Sequence, residues 1–341
     1  MNTECVASDT ALPREMQAFL RMLSLADRVV AARPLTGGVS SDIWLIETPD
    51  QRLCIKRALP ALRVAADWRA PVERSIYEYA WMERVQAILP RAVPPLLGRS
   101  ADGAMFAMGF LDPRDYPLWK EVLLRGEVDP RFAGEVGASL AAIHSATAKD
   151  AGIASAFASD HIFQAIRLEP YLLATARRHP AIAPHLHALA ERTAAMKRAL
   201  VHGDVSPKNI LIGKSGPVFL DAECAWYGDP AFDVAFCLNH LLLKCVPLPG
   251  SADALLRAFA EFSSNYLARV DWEDADEMES RCATLLPALA LARIDGKSPV
   301  EYIAAESDKG RVRGLACALI VAPRPRLVDV AEAWRDGIAR R

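Results

Sequence analysis

Residues 201–212 have the sequence VHGDVSPKNILI, and residues 218–223 have the sequence VFLDAE. Asp204, Asn209 and Asp221 therefore stand at the ends of short apolar runs. Asp204 can accept a hydrogen bond from a hydroxyl group, and the other two offer oxygen ligands of the kind that Mg²⁺ prefers. This order and spacing are typical of a phosphoryl-transfer centre that uses ATP, and they predict Asp204 as the catalytic residue. The competing interpretation, an aspartate that only caps a turn, leaves the spacing of the other two residues unexplained.

Three further polar residues of this region receive predicted roles. Glu223, two residues after Asp221, is predicted as a further metal ligand or as an acid that supports one. His202 is interpreted as a structural strut that holds the loop by hydrogen bonds. Asp233 lies at the start of a predicted helix, where a carboxylate meets the helix dipole favourably and supports the structure.

Residues 36–41, TGGVSS, lie between two predicted strands and form a candidate phosphate-binding loop. Glycines let backbone N–H groups approach phosphates closely, and hydroxyl groups add donors. We therefore predict four nucleotide contacts in this loop: Gly37, Gly38, Ser40 and Ser41. The alternative is a structural glycine turn between two strands of a hairpin.

Lys56 follows this loop on the next predicted strand, in the sequence CIK. A lysine on a strand is costly to bury unless it is paired, and kinases use such a residue to bind nucleotide phosphates. We predict that Lys56 binds the nucleotide and pairs with Glu78 on the following helix. Glu73 and Glu83 are five residues away on either side, about 500° of helical rotation, so they face elsewhere. The alternative is an exposed lysine on an edge strand.

The length of 341 residues and the apolar fraction of 52% fit two lobes with a sizeable core. A helix is predicted over residues 11–31, strands between Arg33 and Ala58, a second helix from Pro71 to Val85, two more strands up to Phe110, and mainly helices after Leu111. This pattern predicts an α+β fold with a small N-terminal ATP-binding lobe over residues 1–110. The larger lobe, residues 111–341, would carry the catalytic and substrate-binding residues.

The composition narrows the classes of partner. A formal net charge of −2 argues against nucleic acid as an obligate partner. The longest apolar stretch, residues 234–246, is interrupted by Asn239, His240 and Lys244 and is too short to span a bilayer. Seven scattered cysteines without a C-x-x-C pair indicate reduced thiols. We therefore expect a cytoplasmic protein that binds a small molecule, as a monomer or a homodimer.

The H-G-D sequence with a later D-x-E resembles the aminoglycoside phosphotransferase superfamily of small-molecule kinases, over nearly the full chain. Several stretches are also similar to the methylthioribose kinases: residues 55–60, Arg63, Val64, Trp68, Arg74, Glu78, residues 119–120, residues 221–223, residues 226–228 and residues 290–293. The resemblance implies a two-lobed protein-kinase-like fold with ATP and Mg²⁺ in the cleft. It also implies the family's roles for five residues: Lys56, Asp204, Asn209, Asp221 and Glu223.

The acceptor is less well defined by the sequence. Trp226 and Arg293 are candidate substrate contacts, Arg293 because methylthioribose kinases place arginine near their sugar in the similar segment. Ala292 stands where those kinases have a second arginine, and the H-G-D continues in the general phosphotransferase form with Asn209. The sequence thus predicts an ATP- and Mg²⁺-dependent phosphotransferase that acts on a hydroxyl group of a small molecule. The substrate would be a sugar-like or amino-alcohol metabolite, with methylthioribose-like acceptors included.

Two alternatives stay open at this stage. An aminoglycoside or macrolide phosphotransferase would suit the acidic stretch at residues 271–279, which can equally be the solvated start of a helix. A catalytically silent, nucleotide-binding regulator is the alternative of another class, and the joint presence of Lys56, Asp204, Asn209 and Asp221 argues against it. A protein kinase is disfavoured because no Ala-Pro-Glu element and activation loop follow Asp221.

Overall fold

The computed structural model describes residues 12–35, 41–60 and 71–339. Gly37, Gly38 and Ser40, and with them Arg63, Val64 and Trp68, lie outside the described residues. The N-terminal part is a five-stranded antiparallel sheet. Numbered along the chain, its strands lie in the spatial order 1-2-3-5-4, one helix precedes the first strand, and a second helix lies between the third and fourth strands. Its elements are α1 (Arg14–Met22), β1 (Ala31–Leu35), β2 (Ser41–Glu47), β3 (Arg52–Ala58), α2 (Arg74–Ile88), β4 (Leu96–Arg99) and β5 (Met105–Gly109).

The alternation of side chains along β3 decides which way Lys56 points. Leu53 and Ile55 pack in one apolar cluster with Met16 and Phe19 of α1. Because successive side chains of a strand project to opposite faces, Lys56 projects to the other face, where Glu78 of α2 pairs with it. Because β3 is the central strand of the sheet, Lys56 lies in the interior. On an edge strand the same side chain would be exposed to water.

The remainder of the chain is mainly helical around four short strands. These elements are α3 (Trp119–Leu124), α4 (Pro130–Thr147), α5 (Ala151–Ala156), α6 (Asp160–Phe163), a π-helix (Gln164–Leu173), α7 (Ala174–Arg178), α8 (Ala183–Ala195), β6 (Ala199–Val201), β7 (Ile210–Gly213), β8 (Gly216–Phe219), β9 (Trp226–Gly228), α9 (Ala231–Lys244), α10 (Ala252–Leu267), α11 (Ala275–Asp295), α12 (Glu306–Val321) and α13 (Leu327–Ala339). A single large apolar core joins these helices and also takes in Trp81 and Phe106 of the N-terminal part.

Two short antiparallel strand pairs position residues 201–212. β6 pairs with β9, so that Val201 lies opposite Trp226, and β7 pairs with β8, so that Ile210 lies opposite Phe219. The loop of residues 202–209 connects β6 to β7, and residues 220–225 connect β8 to β9. The H-G-D loop and the D-x-E loop therefore leave neighbouring strand ends and meet.

The predicted α+β architecture with an antiparallel N-terminal sheet and a mainly helical remainder is confirmed. The helix predicted over residues 11–31 is wrong in its second half. α1 ends at Met22, Ser24 adopts a left-handed φ of 58°, and the chain continues as β1 from Ala31. Pairing of β1 with β2 satisfies the backbone of this segment, which local helical periodicity alone does not reveal.

Among the described residues, no single helix has the length and apolar composition to cross a membrane. The helices Ala231–Lys244 and Pro249–Leu267 would meet these criteria only as a pair, and the chain bends by 119° between them.

Candidate active site

The catalytic loop depends on a glycine at its second position. Gly203 has φ of 78°, a left-handed conformation that side chains disfavour. A Cβ atom there would lie 2.7 Å from both the Cβ and the carbonyl oxygen of Cys224. The loop therefore passes so close to the D-x-E segment that only glycine fits between His202 and Asp204.

The buried side chains of His202 and Asp233 hold this loop by hydrogen bonds. The carboxylate of Asp233, in the first turn of α9, accepts hydrogen bonds from the backbone N–H groups of His202 and Gly203, both at 2.8 Å. Nδ1 of His202 accepts a hydrogen bond from the backbone N–H of Asp204 at 3.1 Å, and Nε2 donates to the carbonyl oxygen of Leu220 at 3.0 Å. Burial lowers the pKa of His202, which fits this neutral ring. The structure thus uses His202 and Asp233 as supports of the loop.

The carboxylate of Asp204 is held asymmetrically. Its Oδ2 atom receives three donors: Nη2 of Arg167 at 2.9 Å, Nζ of Lys208 at 3.0 Å and Nδ2 of Asn209 at 2.9 Å. Its Oδ1 atom is buried and has no hydrogen-bond partner among the described residues. A buried polar atom without a partner is costly, and such atoms concentrate where a ligand completes the arrangement. One oxygen therefore fixes the side chain, and the other is left to accept a hydrogen bond.

The ionisation of Asp204 follows from the same contacts. Burial by itself raises the pKa of this carboxyl group, but the charges of Arg167 and Lys208 outweigh burial and leave the pKa below its ordinary value. The group is consequently a carboxylate at neutral pH. It can accept the hydrogen bond of a substrate hydroxyl and orient that hydroxyl, which is what in-line phosphoryl transfer requires.

Lys56 lies between two acids. Its Nζ donates to Oε1 of Glu78 at 2.6 Å and also pairs with Oδ1 of Asp221. Burial alone would lower the pKa of Lys56, yet the charges of Asp221 and Glu78 raise it above its ordinary value, so the ammonium group is retained. The predicted pairing partner, Glu78, is thus the glutamate in contact with Lys56. The lysine also links the N-terminal sheet directly to the D-x-E segment.

Asp221 and Asn209 present oxygen atoms to the same space. Asp221 adopts a left-handed φ of 66°, an uncommon conformation for a residue with a side chain and one that concentrates at functional sites. The backbone N–H of Leu220 donates to the carbonyl oxygen of Asn209 at 2.9 Å, which holds the two loops together. Asn209 donates through its side-chain nitrogen, and its side-chain oxygen has no hydrogen bond among the described residues. Hard oxygen donors of this kind fit Mg²⁺. In the described ranges, no group of three or more His, Cys, Asp or Glu side chains is placed so that it could hold a metal ion by itself.

Glu223 is engaged by an arginine of α2. Its Oε2 atom accepts a hydrogen bond from Nε of Arg74 at 2.9 Å, and both side chains are buried. Arg74 and Glu78 are four residues apart and share one face of α2. The same helix face therefore contacts Lys56 through Glu78 and the D-x-E segment through Arg74.

Arg167 is the site residue that the sequence analysis missed. It lies on the π-helix, is 5% exposed, and reaches both the carbonyl oxygen of Gly203 and the carboxylate of Asp204. Its guanidinium carbon also lies 5.7 Å from the ring centroid of Tyr171 and 5.8 Å from that of Phe236. The available signal was an arginine within the apolar run AIRL just before Pro170, because a buried arginine requires a partner.

The remaining predicted site residues lie at three separate places. Ser41 begins β2, is 2% exposed, and has a buried hydroxyl without a partner among the described residues. Trp226 is 1% exposed and stacks on Phe163 with ring centroids 4.0 Å apart, so its ring is part of the core. Arg293 is buried on α11 and donates from Nη1 to the hydroxyl of Tyr171 at 3.2 Å, one side chain away from Arg167.

The acidic stretch at residues 271–279 is used for local structure. Asp274 caps α11 by accepting from the backbone N–H of Glu277 at 2.9 Å. Glu273 binds Nη2 of Arg281 with both oxygens at 2.8 Å, and Glu279 accepts from the backbone N–H of Leu327. These contacts account for Glu273, Asp274 and Glu279 by helix capping and packing.

Comparisons with known proteins agree with this geometry. Residues 31–272 match the model of the phosphotransferase enzyme family. The chain is similar to a methylthioribose kinase of Yersinia enterocolitica, with 27% identity over 59% of this chain and 56% of that protein. It is also similar to one of Pectobacterium carotovorum, with 23% identity over 74% of this chain and 73% of that protein. The match thus spans little more than half the length of the Yersinia relative.

A solved structure extends the likeness of fold to nearly the whole chain. The superposition on the ternary complex of APH(2″)-IIa with streptomycin and ATP includes 95% of this chain and 99% of that chain, with 13% identity and a TM-score of 0.50. At this identity the likeness concerns the fold alone. The family match covers more than half of the chain and includes Lys56, Asp204, Asn209 and Asp221. The chain belongs to the phosphotransferase enzyme family.

Proposed function

We propose that the protein is a small-molecule kinase that transfers the γ-phosphoryl group of ATP to a hydroxyl group, with Mg²⁺ as the metal. The observation that carries the proposal is the carboxylate of Asp204: three donors hold one oxygen, and the other has no hydrogen-bond partner among the described residues. A carboxylate fixed in this way would receive the acceptor hydroxyl in a defined orientation. Positioning and neutralisation of charge supply most of the catalysis in phosphoryl transfer.

Lys56 and the two oxygen donors would serve the nucleotide. Lys56 pairs with Asp221 in the structure, and we expect bound phosphates to take the place of Asp221 beside Lys56 while Asp221 and Asn209 hold Mg²⁺. The bound metal would neutralise charge on the transferred phosphoryl group. Glu78 would keep Lys56 in place, and Gly37, Gly38, Ser40 and Ser41 would contact the phosphates. Glu223 would support the metal site through its contact with Arg74, or ligate directly with its second oxygen.

The acceptor would be a sugar-like or amino-alcohol metabolite, with methylthioribose-like compounds among the candidates because relatives carry that name. An antibiotic acceptor has less support, since Glu273, Asp274 and Glu279 of the acidic stretch already have partners within the fold. A silent regulator has less support as well, because Lys56, Asp204, Asn209 and Asp221 are all present and lie close together.

Release of ADP from Mg-ATP tests this proposal. Purified protein would be incubated with alcohols of several classes, namely methylthioribose, choline, homoserine, sugar acids, amino sugars and aminoglycosides. Asp204→Asn serves as the matched variant, since it keeps the shape of the side chain and removes the charge. We expect acceptor-dependent ADP release that falls by about 10²- to 10⁴-fold in this variant, while Mg-ATP still binds. Unchanged turnover in Asp204→Asn would contradict the assignment of the catalytic residue.

A further inference from the structure

A group of basic side chains lies beside the catalytic loop and has almost no acidic counterpart. It comprises Lys120 of α3, His240 and Lys244 of α9, and Arg293 of α11, and we refer to it as the basic cluster. Within the described ranges, the only carboxylate within ion-pair distance of the cluster is Glu301, which pairs with Lys120. Lys244 and Arg293 have no such partner in this part of the chain.

Tyrosine side chains tie the cluster together. Nδ1 of His240 is hydrogen bonded to the hydroxyl of Tyr302 at 3.0 Å, and Nζ of Lys244 lies 4.5 Å from the centroid of the same ring. Burial and then the charges of Arg293, Lys244, Lys208 and Lys120 lower the pKa of His240 well below its usual range. These groups are therefore close enough to act on one another.

The cluster continues directly to the reacting carboxylate. Arg293 and Arg167 contact the same tyrosine, since each guanidinium carbon lies 5.7 Å from the ring centroid of Tyr171. Arg167 in turn pairs with Asp204. The two guanidinium carbons are thus at most about twice that distance apart, so one small molecule can reach both groups.

Two buried nitrogen atoms of the cluster lack partners among the described residues. These are Nε2 of His240, a residue 4% exposed, and Nε of Arg293, a residue 7% exposed. Nζ of Lys244 also makes no hydrogen bond to a described residue, although the residue is 1% exposed. Buried polar atoms without partners carry a cost that a bound ligand would remove, and an anion can accept from the guanidinium and the ammonium group at once.

We propose that the basic cluster binds an anionic substituent of the acceptor, a carboxylate or a phosphate group. The acceptor alcohol is accordingly an acidic metabolite, with its hydroxyl at Asp204 and its anion at Lys244 and Arg293. This inference rests on the proposed kinase function and adds the charge class of the substrate. It disfavours choline-like and polyamine-like acceptors, whose positive charge the cluster repels.

Binding of small anions tests the cluster without requiring turnover. Thermal unfolding would be followed with the nucleotide site saturated by Mg-ADP, in inorganic phosphate, in acetate, and in potassium chloride of equal ionic strength. We expect phosphate or acetate to raise the midpoint beyond the chloride control. The more effective anion identifies the phosphate or the carboxylate as the substituent, and equal effects indicate an oxyanion site that accepts both.

Three variants connect this binding to the cluster. Lys244→Met and Lys120→Met should each weaken the binding of the effective anion about tenfold or more, because charged hydrogen bonds contribute about 1.5–3 kcal/mol. Lys214→Met, which removes a highly exposed lysine of the β7–β8 turn, should leave binding unchanged. Equal binding in Lys244→Met and the unchanged protein would overturn the proposal, as would the absence of any anion effect beyond chloride.

Failure of this inference and failure of the kinase proposal have different signatures. If Mg-ADP stabilises the protein and neither anion does, the nucleotide site stands and the anion site is wrong. If anions stabilise the nucleotide-free protein through Lys244 and Mg-ADP has no effect, the kinase proposal is wrong. In the turnover assay, gluconate should be preferred over glucitol, its uncharged counterpart, and Lys244→Met should abolish that preference.

Discussion

The guanidinium group of Arg167 and the carboxylate of Asp204 form a buried ion pair, with Nη2 and Oδ2 2.9 Å apart and both residues at most 5% exposed. The arginine comes from the π-helix, and the aspartate from the loop between β6 and β7. Arg167 therefore does two things for Asp204. It fixes the rotamer of the side chain, and it keeps the carboxyl group ionised in spite of burial.

Replacing Arg167 should change the pH dependence of activity. Removal of the cation leaves burial as the dominant influence, so the pKa of Asp204 rises and the acid limb of kcat/KM moves to higher pH. We expect Arg167→Met to lower kcat about ten- to hundredfold at neutral pH. Arg177→Met, which removes an exposed arginine of α7, is the control. An acid limb that does not move in Arg167→Met would contradict this role.

Glu78 and Glu83 lie on the same helix and provide a matched pair. Glu78 binds Nζ of Lys56 at 2.6 Å and is 2% exposed, whereas Glu83 is exposed. Glu78→Gln should raise the KM for Mg-ATP about tenfold, because Lys56 loses the charge that holds it against the nucleotide. Glu83→Gln should leave the KM within about twofold, given its exposure. Similar KM values for the two variants would show that the buried pair is not needed for nucleotide binding.

The roles of Glu223 and Asp221 can be distinguished by how the activity of their variants depends on Mg²⁺. Glu223 is bound by Arg74, so Glu223→Gln should lower the free energy of unfolding by about 1–2 kcal/mol, because an ion pair becomes a hydrogen bond to a neutral amide. The Mg²⁺ concentration that gives half-maximal ADP release should change little in Glu223→Gln. In Asp221→Asn that concentration should rise about tenfold or more. Urea unfolding and Mg²⁺ titration of ADP release give the two readouts. An equal rise in both variants would establish Glu223 as a direct ligand.

Lys244 should make the ligand-free protein sensitive to pH. Burial lowers the pKa of Lys244 to about 7, so between about pH 7 and pH 10.5 the unfolded chain binds a proton that the folded protein does not. The unchanged protein therefore gains stability as pH rises through this range. Titratable groups facing Lys244 are Lys120, Cys237, His240, Arg293, Glu301 and Tyr302.

The measurement compares Lys244→Met with the unchanged protein by urea unfolding at pH 7.5 and pH 9.5. The variant should be the more stable protein at pH 7.5, and its advantage should shrink by about 2 kcal/mol at pH 9.5. Lys214→Met, which removes a highly exposed lysine, provides the control. An advantage that is constant between the two pH values would contradict the titration of Lys244.

The sequence was most informative where residues are close together along the chain. The spacing within VHGDVSPKNILI and VFLDAE predicted the loop that carries Asp204 and Asn209, because the two segments contain the strands of one hairpin, β7 and β8. Helical rotation singled out Glu78 over its neighbours, since an α-helix has a known pitch. These inferences needed only local geometry.

The sequence was least informative about contacts between distant segments. Arg167 lies far upstream of Asp204 on a π-helix that no local pattern announces, and only the fold brings the two together. His240 and Lys244 were noticed as polar breaks in an apolar run, yet their approach to Arg293 depends on how α9 packs against α11. Trp226 is a similar case, because its neighbour Phe163 decides that the ring lies in the core.

α9 begins with Asp233, which fixes the backbone of the catalytic loop, and ends with Lys244 of the basic cluster. The two residues are about 16 Å apart along a rigid axis at 1.5 Å per residue. If the basic cluster binds the acceptor's anion as proposed, this buried helix would fix the distance between the catalytic loop and the anion site. The length of chain between hydroxyl and anion would then be a criterion of substrate selection in its own right.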